Sequence, residues 1–368
     1  MRIGILGGGQ LGRMLALAGV PLGYRFLFLD PSAEAPARDL GEYLCAGYDD
    51  RAGLARLADS CDVVTYEFES VPASAVHELL RRRPVRPGAL ALETAQERFA
   101  EKSLFQRLGI PTAPFAPVDS LLEFRDALDR IGYPAVLKTR RHGYDGKGQA
   151  VLRSAADADH AWTSHAGVPL LIEGHVPFIR ELSIVGVRGA DGALACYPLV
   201  ENRHHAGILR LTIAPAPAVD DALQQRAEDL FALIAQALDY VGVLAVELFQ
   251  TEGGLLANEI APRVHNSGHW TIEGARTSQF ENHIRAIAGL PLGDCSAFGP
   301  AAMVNLIGST PERDAVLSIL GAKLHLYGKS DRPGRKLGHV TLLADTPEDL
   351  RARLGELAAA VPGIESLL

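Results

Sequence analysis

The chain has 368 residues, enough for two or three domains with full cores, and 48% hydrophobic against 22% charged residues is the balance of a globular protein, not a disordered or fibrous one. A formal net charge of -8 argues against a general nucleic-acid binder, although basic runs at 81–83 and 332–336 leave room for a phosphorylated small molecule. No apolar run approaches membrane length, a strand begins at Arg2, and the four cysteines show neither metal-ligand spacing nor a paired framework; the expectation is a cytoplasmic protein with reduced core cysteines and no membrane partner.

Residues 1–93 alternate strand and helix. Apolar strands at 3–6, 25–29 and 62–66, with a helix at 10–18, predict a doubly wound parallel, Rossmann-like unit. Pro84, Pro87 and Gly88 break the pattern and mark a linker. A helix at 95–108 opens the next unit. Strands follow at 135–138, 150–153, 170–173, 181–187 and 194–200, the last two joined by an Asp191-Gly192 turn. Leu223, Ala227, Leu230, Phe231, Ile234 and Leu238 recur at helical spacing and predict an amphipathic helix over 221–240. The tail carries strands at 303–307, 323–327 and 338–343 and a helix near 348–360.

The first glycine loop is open to several readings. Gly7, Gly9 and Gly12 fit G-x-G-x-x-G between a strand and a helix, and Asp30 ends the second strand where a ribose-binding acid would lie. That pattern suits a dinucleotide-dependent oxidoreductase. The same backbone amides and helix N-terminus would serve a sugar monophosphate, or the loop is a tight structural turn.

The central region carries more specific chemistry. Lys138 ends an apolar strand and is followed by a loop with Gly143, Gly146 and Gly148 around Lys147, suited to closing over a polyphosphate or to a flexible surface turn. No G-K-[ST] opens a helix, so it is not a Walker loop. Glu173 ends another apolar strand, where it would accept hydrogen bonds from a ribose or stand as a plain rim carboxylate; Glu181 lies among apolar strand residues. Two apolar arms around Gly253-Gly254 then form a β-hairpin. A regular register sets Glu247 opposite Asn258, whereas one bulged residue in the turn brings Glu259 across instead. Carboxylates gathered in an apolar sheet are expensive unless compensated: either magnesium, which takes carboxylate oxygens and substrate phosphates, compensates them, or they are solvated on an exposed sheet face.

This order of lysine strand, glycine loop, acid-ended strand and paired carboxylates resembles the ATP-grasp superfamily. Three strings narrow it: GGGQLGR at 7–13, NEIAPRVHNSGHW at 258–270 and RPGRKLGH at 332–339. With GYDGKGQ at 143–149 and YEFE at 66–69, they closely resemble the N5-carboxyaminoimidazole ribonucleotide synthases. The resemblance implies an ATP-grasp fold with mixed α/β and α+β parts. An N-terminal Rossmann-like domain would span 1–93, the ATP-grasp domain 94–294 with a mobile lid around 115–185, and a small C-terminal domain 295–368. It implies a homodimer and an ATP-dependent carbon–nitrogen ligase that carboxylates 5-aminoimidazole ribonucleotide with bicarbonate, in purine biosynthesis. Another ATP-grasp carboxylase or ligase, with a different acceptor, is the alternative.

Residue by residue, the resemblance assigns ATP contacts to Arg98, Lys138, Gly143, Tyr144, Asp145, Gly146, Lys147, Gly148 and Gln149. Glu173, Gly174, His175, Val176, Glu181, His204, Asn258 and Glu259 complete that set. Magnesium would sit on Glu247 and Glu259; the position two beyond Glu259 is Ala261, where many ATP-grasp enzymes carry Asn. The aminoimidazole nucleotide falls to Gly9, Gln10, Leu11, Glu67, Tyr144, Asp145, Asn266, Lys329, Arg335 and Lys336, with its phosphate on the first glycine loop. Asp145, Lys138, Arg263 and His265 are the candidate catalytic residues, while His269 and Trp270 read as support packing.

Overall fold

The computed structural model describes residues 1–143, 148–165 and 167–368. A four-stranded parallel sheet opens the chain in the order Glu42–Cys45, Arg25–Asp30, Arg2–Leu6, Val63–Tyr66. The strands are nearly continuous apolar runs because helices cover the sheet. Val85 in the expected linker pairs in parallel with Val64, so this stretch extends the sheet.

The expected helix at 95–108 is Arg98–Arg107, and a separate helix, Ala89–Ala95, precedes it. Glu97 leaves the helical path because its carboxylate caps the second helix, accepting from Phe99 N at 3.2 Å and Ala100 N at 2.9 Å. The expected strand at 194–200 is also interrupted. Leu194–Cys196 and Val200–His205 both pair with Arg180–Arg188, separated by Pro198, which has no amide for a ladder. The helix predicted to reach 240 ends at Ala237, and Asp239 takes a φ of +42°.

Phe115–Val118, Leu170–Gly174, Ala135–Thr139 and Gln149–Leu152 form a separate antiparallel sheet. Its own apolar cluster brings in Phe124 and Leu128 of helix Leu121–Ile131 and Ala158 and Ala161 of helix Ala155–Ser164. The third sheet has nine strands. It runs from the edge strand Gly254–Ala261 through Gly242–Thr251, Arg180–Arg188, Val200–His205, Ile208–Ala214, Ala301–Ile307 and Lys336–Leu343 to Ala322–Leu326. Strands on both sides of residue 294 therefore share one sheet. The N-terminal unit docks on it through helix Gln279–Ala288: Thr65 Oγ1 bonds His283 Nε2 at 2.9 Å, and Arg86 donates to Ile287 O at 2.8 Å. Cys45 is exposed, against expectation, while Cys61 and Cys295 are buried; all four cysteines are free. Among the described residues no helix is long and apolar enough to cross a membrane.

Candidate active site

The three sheets converge on a cleft of about 510 Å³. Its decisive feature is the hairpin of Gly242–Thr251 and Gly254–Ala261, which turns through Glu252-Gly253. The register is regular from Thr251↔Gly254 to Leu248↔Ala257, then shifts so that Glu247 faces Glu259. Asn258 is the extra residue. The bulge thus lies beside the carboxylates, not in the turn, because the two-residue turn already closes the strands without one. Asn258 and Glu259 together oppose Glu247, and all three line the cleft.

The cations facing this hairpin come from other elements. Arg98 pairs with Glu259 at 3.0 Å and donates to Gly143 O at 3.4 Å. Glu173 departs from the expected ribose acceptor: it is 3% exposed and clamped by Lys138 at 3.1 Å and Lys102 at 3.3 Å. Burial alone would raise its carboxyl, but Lys138 and Lys102 outweigh this and hold it at about 2. A more exposed carboxylate comes from the large sheet, Glu181, bonded to His204 Nδ1 at 2.6 Å. Although burial disfavours the imidazolium, Glu181 raises the pKa of His204.

Glu247 is half-buried, and although burial would raise its carboxyl, His265, 3.2 Å away, supported by His204 and Arg263, holds it at about 2. Arg263 is gripped by both oxygens of Glu69, at 3.0 and 3.1 Å, and its Nε is buried without a partner. Among the described residues no group of three or more His, Cys, Asp or Glu could hold a metal by itself. Two carboxylates facing one cleft, with a buried, unpartnered Oδ1 on the adjoining Asn258, instead fit magnesium completed by water and phosphate oxygens.

The first glycine loop is filled by the chain's own carboxylates. Gly8 N donates to Asp30 Oδ2 at 2.8 Å, Gly12 N to Glu67 Oε2 at 2.7 Å, and Gly9 N to Glu67 Oε1. A Cβ on Gly7, whose φ is +104°, would fall 2.5 Å from Glu67 Cγ, and one on Gly9 would meet Glu67 Oε1. The glycines make room for Glu67. A phosphate on these three amides would face two carboxylates, which counts against the dinucleotide reading; Gln10 and Leu11, expected to meet the second substrate, line the cleft. The basic groups lie opposite: Lys329 donates to Gln10 Oε1, and Arg335 donates to Ser330 Oγ at 3.0 Å. Burial and the neighbouring Arg335 pull Lys329 down to about 8, with Glu67 acting against them.

Of the expected residues, Gln10, Leu11, Arg98, Lys138, Gly143 and Gln149 line the cleft. So do Glu173 to Val176, Glu181, His204, Glu247, Asn258, Glu259, Arg263, His265, Asn266 and Lys336. Asn266 exchanges amide hydrogen bonds of 3.0 and 2.7 Å with Asn305. Gly9, Glu67, Gly148, Lys329 and Arg335 are not among the lining residues; Tyr144, Asp145, Gly146 and Lys147 lie outside the described residues. Trp270 is core, whereas His269, expected as packing, reaches the cleft wall. Sequence reasoning missed Lys102, Glu69 as the partner of Arg263, and the stacked pair Phe178–Phe249, 4.8 Å apart. Glu69 was visible in the YEFE string; the others carry no local signal. A more open cleft of about 660 Å³ beside Cys196, Asp220, Glu228 and Asp294 has no basic lining residue and gives a polyphosphate nothing to pair with.

A lysine–glutamate clamp on one sheet facing paired carboxylates on another, over a cleft, defines an ATP-grasp enzyme. Family models agree: a ribonucleotide synthetase preATP-grasp domain matches residues 1–96, an ATP-grasp domain 103–280, and a phosphoribosylaminoimidazole carboxylase C-terminal domain 301–353. The chain is 53% identical to the N5-carboxyaminoimidazole ribonucleotide synthase of Pseudomonas aeruginosa over 98% of its own length and 99% of the relative's. The crystal structure of the Thermus thermophilus synthetase superposes with a TM-score of 0.95 at 55% identity, covering 98% of each chain. The Aspergillus clavatus enzyme in complex with ADP and 5-aminoimidazole ribonucleotide gives 0.90 at 34% identity over 97% of each. The chain belongs to the N5-carboxyaminoimidazole ribonucleotide synthase family, ATP-dependent carbon–nitrogen ligases of purine biosynthesis.

Proposed function

We propose that this cleft couples ATP cleavage to carboxylation of 5-aminoimidazole ribonucleotide by bicarbonate, giving the N5-carboxylated nucleotide, ADP and phosphate. The observation that carries the reading is the bulge that sets Glu247 and Glu259 together opposite Arg98 and Lys138. Lys138, Arg98 and the Gly143–Gln149 loop would hold the ATP phosphates, Glu181 and His204 its ribose, and the Phe178–Phe249 shelf its purine. Magnesium on Glu247 and Glu259 would screen the phosphate charge.

A bicarbonate oxygen attacks the γ-phosphorus as the bond to ADP breaks, and Lys138 and Arg263 offset the developing negative charge. Glu69 keeps the Arg263 guanidinium aimed at this position, with His265 beside it. The resulting carboxyphosphate splits to carbon dioxide and phosphate, and closure over the cleft excludes water. The exocyclic amine bonds to the carbon and loses a proton; Asp145 would orient that amine or take the proton. Lys329, Arg335 and Lys336 would take the nucleotide's phosphate. The reading includes a cytoplasmic homodimer, supported by the unpaired cysteines and, for the dimer, by family likeness alone.

The test is ADP release with ATP, magnesium and bicarbonate, with and without 5-aminoimidazole ribonucleotide. Strong stimulation by the nucleotide is expected. Steady hydrolysis without stimulation would keep the ATP-grasp chemistry and assign another acceptor; no hydrolysis in either case would refute the enzyme reading.

A further inference from the structure

Gly254–Ala261 is an edge strand; on its outer side Ala257 makes an isolated parallel bridge with Thr112, its N–H donating to Pro111 O at 2.8 Å. The bulge at Asn258 lies in this strand, where the ladder is locally disrupted and flanking anchors must hold the geometry. Those anchors exist on both sides. Before the bulge, Ala257 O accepts from Thr112 Oγ1 at 2.8 Å, which in turn accepts from Lys102 Nζ at 3.1 Å. After it, Ile260 N donates to Glu101 Oε1 at 2.7 Å. Glu101 is 2% and Lys102 1% exposed, and neither lines the cleft. Lys102 also reaches Glu173 Oε2 at 3.3 Å, the oxygen that holds Lys138 at 3.1 Å on the antiparallel sheet.

We propose that Glu101 and Lys102, consecutive on helix Arg98–Arg107, are positioning residues that fix the bulged Asn258-Glu259 pair against the Lys138–Glu173 clamp and thereby set the cleft's affinity for magnesium nucleotide. Lys102 ties the clamp and Thr112 to one helix, and Glu101 ties the residue after Glu259 to the same helix. One turn of that helix thus couples the edge of the large sheet to the sheet that carries Lys138. Buried ionic groups of this kind do not reliably add stability, so a role in geometry is the stronger reason for their presence. The inference rests on the magnesium–ATP reading of the cleft.

The test uses the full chain with Glu101→Gln, Glu101→Leu and Thr112→Val. The readouts are calorimetric binding of ADP across a magnesium titration, thermal melting, and the steady-state constants. Gln keeps an oxygen for Ile260 N, so Glu101→Gln should stay close to wild type. Glu101→Leu should raise the magnesium needed for half-maximal ADP binding by about tenfold or more, as loss of a ligand-orienting partner does. Its kcat should fall, with the Michaelis constant for the aminoimidazole nucleotide unchanged. Thr112→Val should move the magnesium requirement in the same direction and keeps the test alive if Glu101→Leu does not fold. The inference is overturned if Glu101→Leu or Thr112→Val lowers the melting temperature with an unaltered magnesium requirement, or if Glu101→Gln falls as far as Glu101→Leu. Wild-type chain that binds ADP with magnesium but shows no stimulation by the aminoimidazole nucleotide would sink the proposed acceptor and leave this inference standing.

Discussion

Replacing Glu173 by Gln would leave two ammonium groups, Lys102 and Lys138, inside the protein without their shared counter-charge. The size of the effect follows from the carboxyl itself, held at about 2 against its ordinary 4.5. At about 1.4 kcal/mol per unit, its ionisation contributes about 3 kcal/mol to folding at neutral pH. Removing one partner of a buried pair costs about 3–5 kcal/mol, the same range. The sign is that of a depressed acid: the contribution is complete above the unfolded value near 4.5 and is lost as pH falls toward 2. Glu173→Gln should therefore destabilise the antiparallel sheet by about 3 kcal/mol at neutral pH, with a gap to wild type that narrows through that acid window. Hydrogen exchange of the Leu170–Gly174 and Ala135–Thr139 amides against urea reads this unit locally, which matters in a chain with several cores. A loss below about 1 kcal/mol at neutral pH, or a gap constant across the acid window, would refute the clamp as the source of stability.

Glu259→Gln should abolish ADP release with or without the aminoimidazole nucleotide; near-normal release would remove Glu259 from the metal site. Asp145→Asn should impair carboxylation far more than ATP binding, and equal losses in both would reduce Asp145 to a loop residue. With Lys329 at about 8, the Michaelis constant for the aminoimidazole nucleotide should rise as pH passes that value and the ammonium is lost. Lys329→Arg should flatten this rise, and a wild-type profile already flat through pH 8 would place the phosphate on other groups.

How much of this was legible in the sequence depends on range. The alternation of strands and helices over the first ninety or so residues and the two arms of the carboxylate hairpin are local patterns, and they are where the periodicity puts them. The cleft-facing positions of Lys138, Glu247 and Glu259 followed from strand ends and the hairpin. The register did not. Regular pairing and a bulge were equally available to the residues, and the choice lies with anchors from Glu101 and Thr112, more than a hundred residues away in the chain.

The same limit explains the errors. Three glycines between a strand and a helix show that something must approach their amides, but not what. The visitor is Glu67, brought down by the parallel strand Val63–Tyr66 lying beside Arg2–Leu6. Glu173 at a strand end was legible as a carboxylate near the cleft; that it is buried rather than on the rim was decided by Lys102 from another element. The sequence by itself determined which residues could form strands, turns and an ATP-grasp order of chemistry, because those depend on neighbours within a few positions. Only the tertiary structure decided which carboxylates line the cleft and which cation each one meets there, because burial and charge pairing are set by residues distant in the chain.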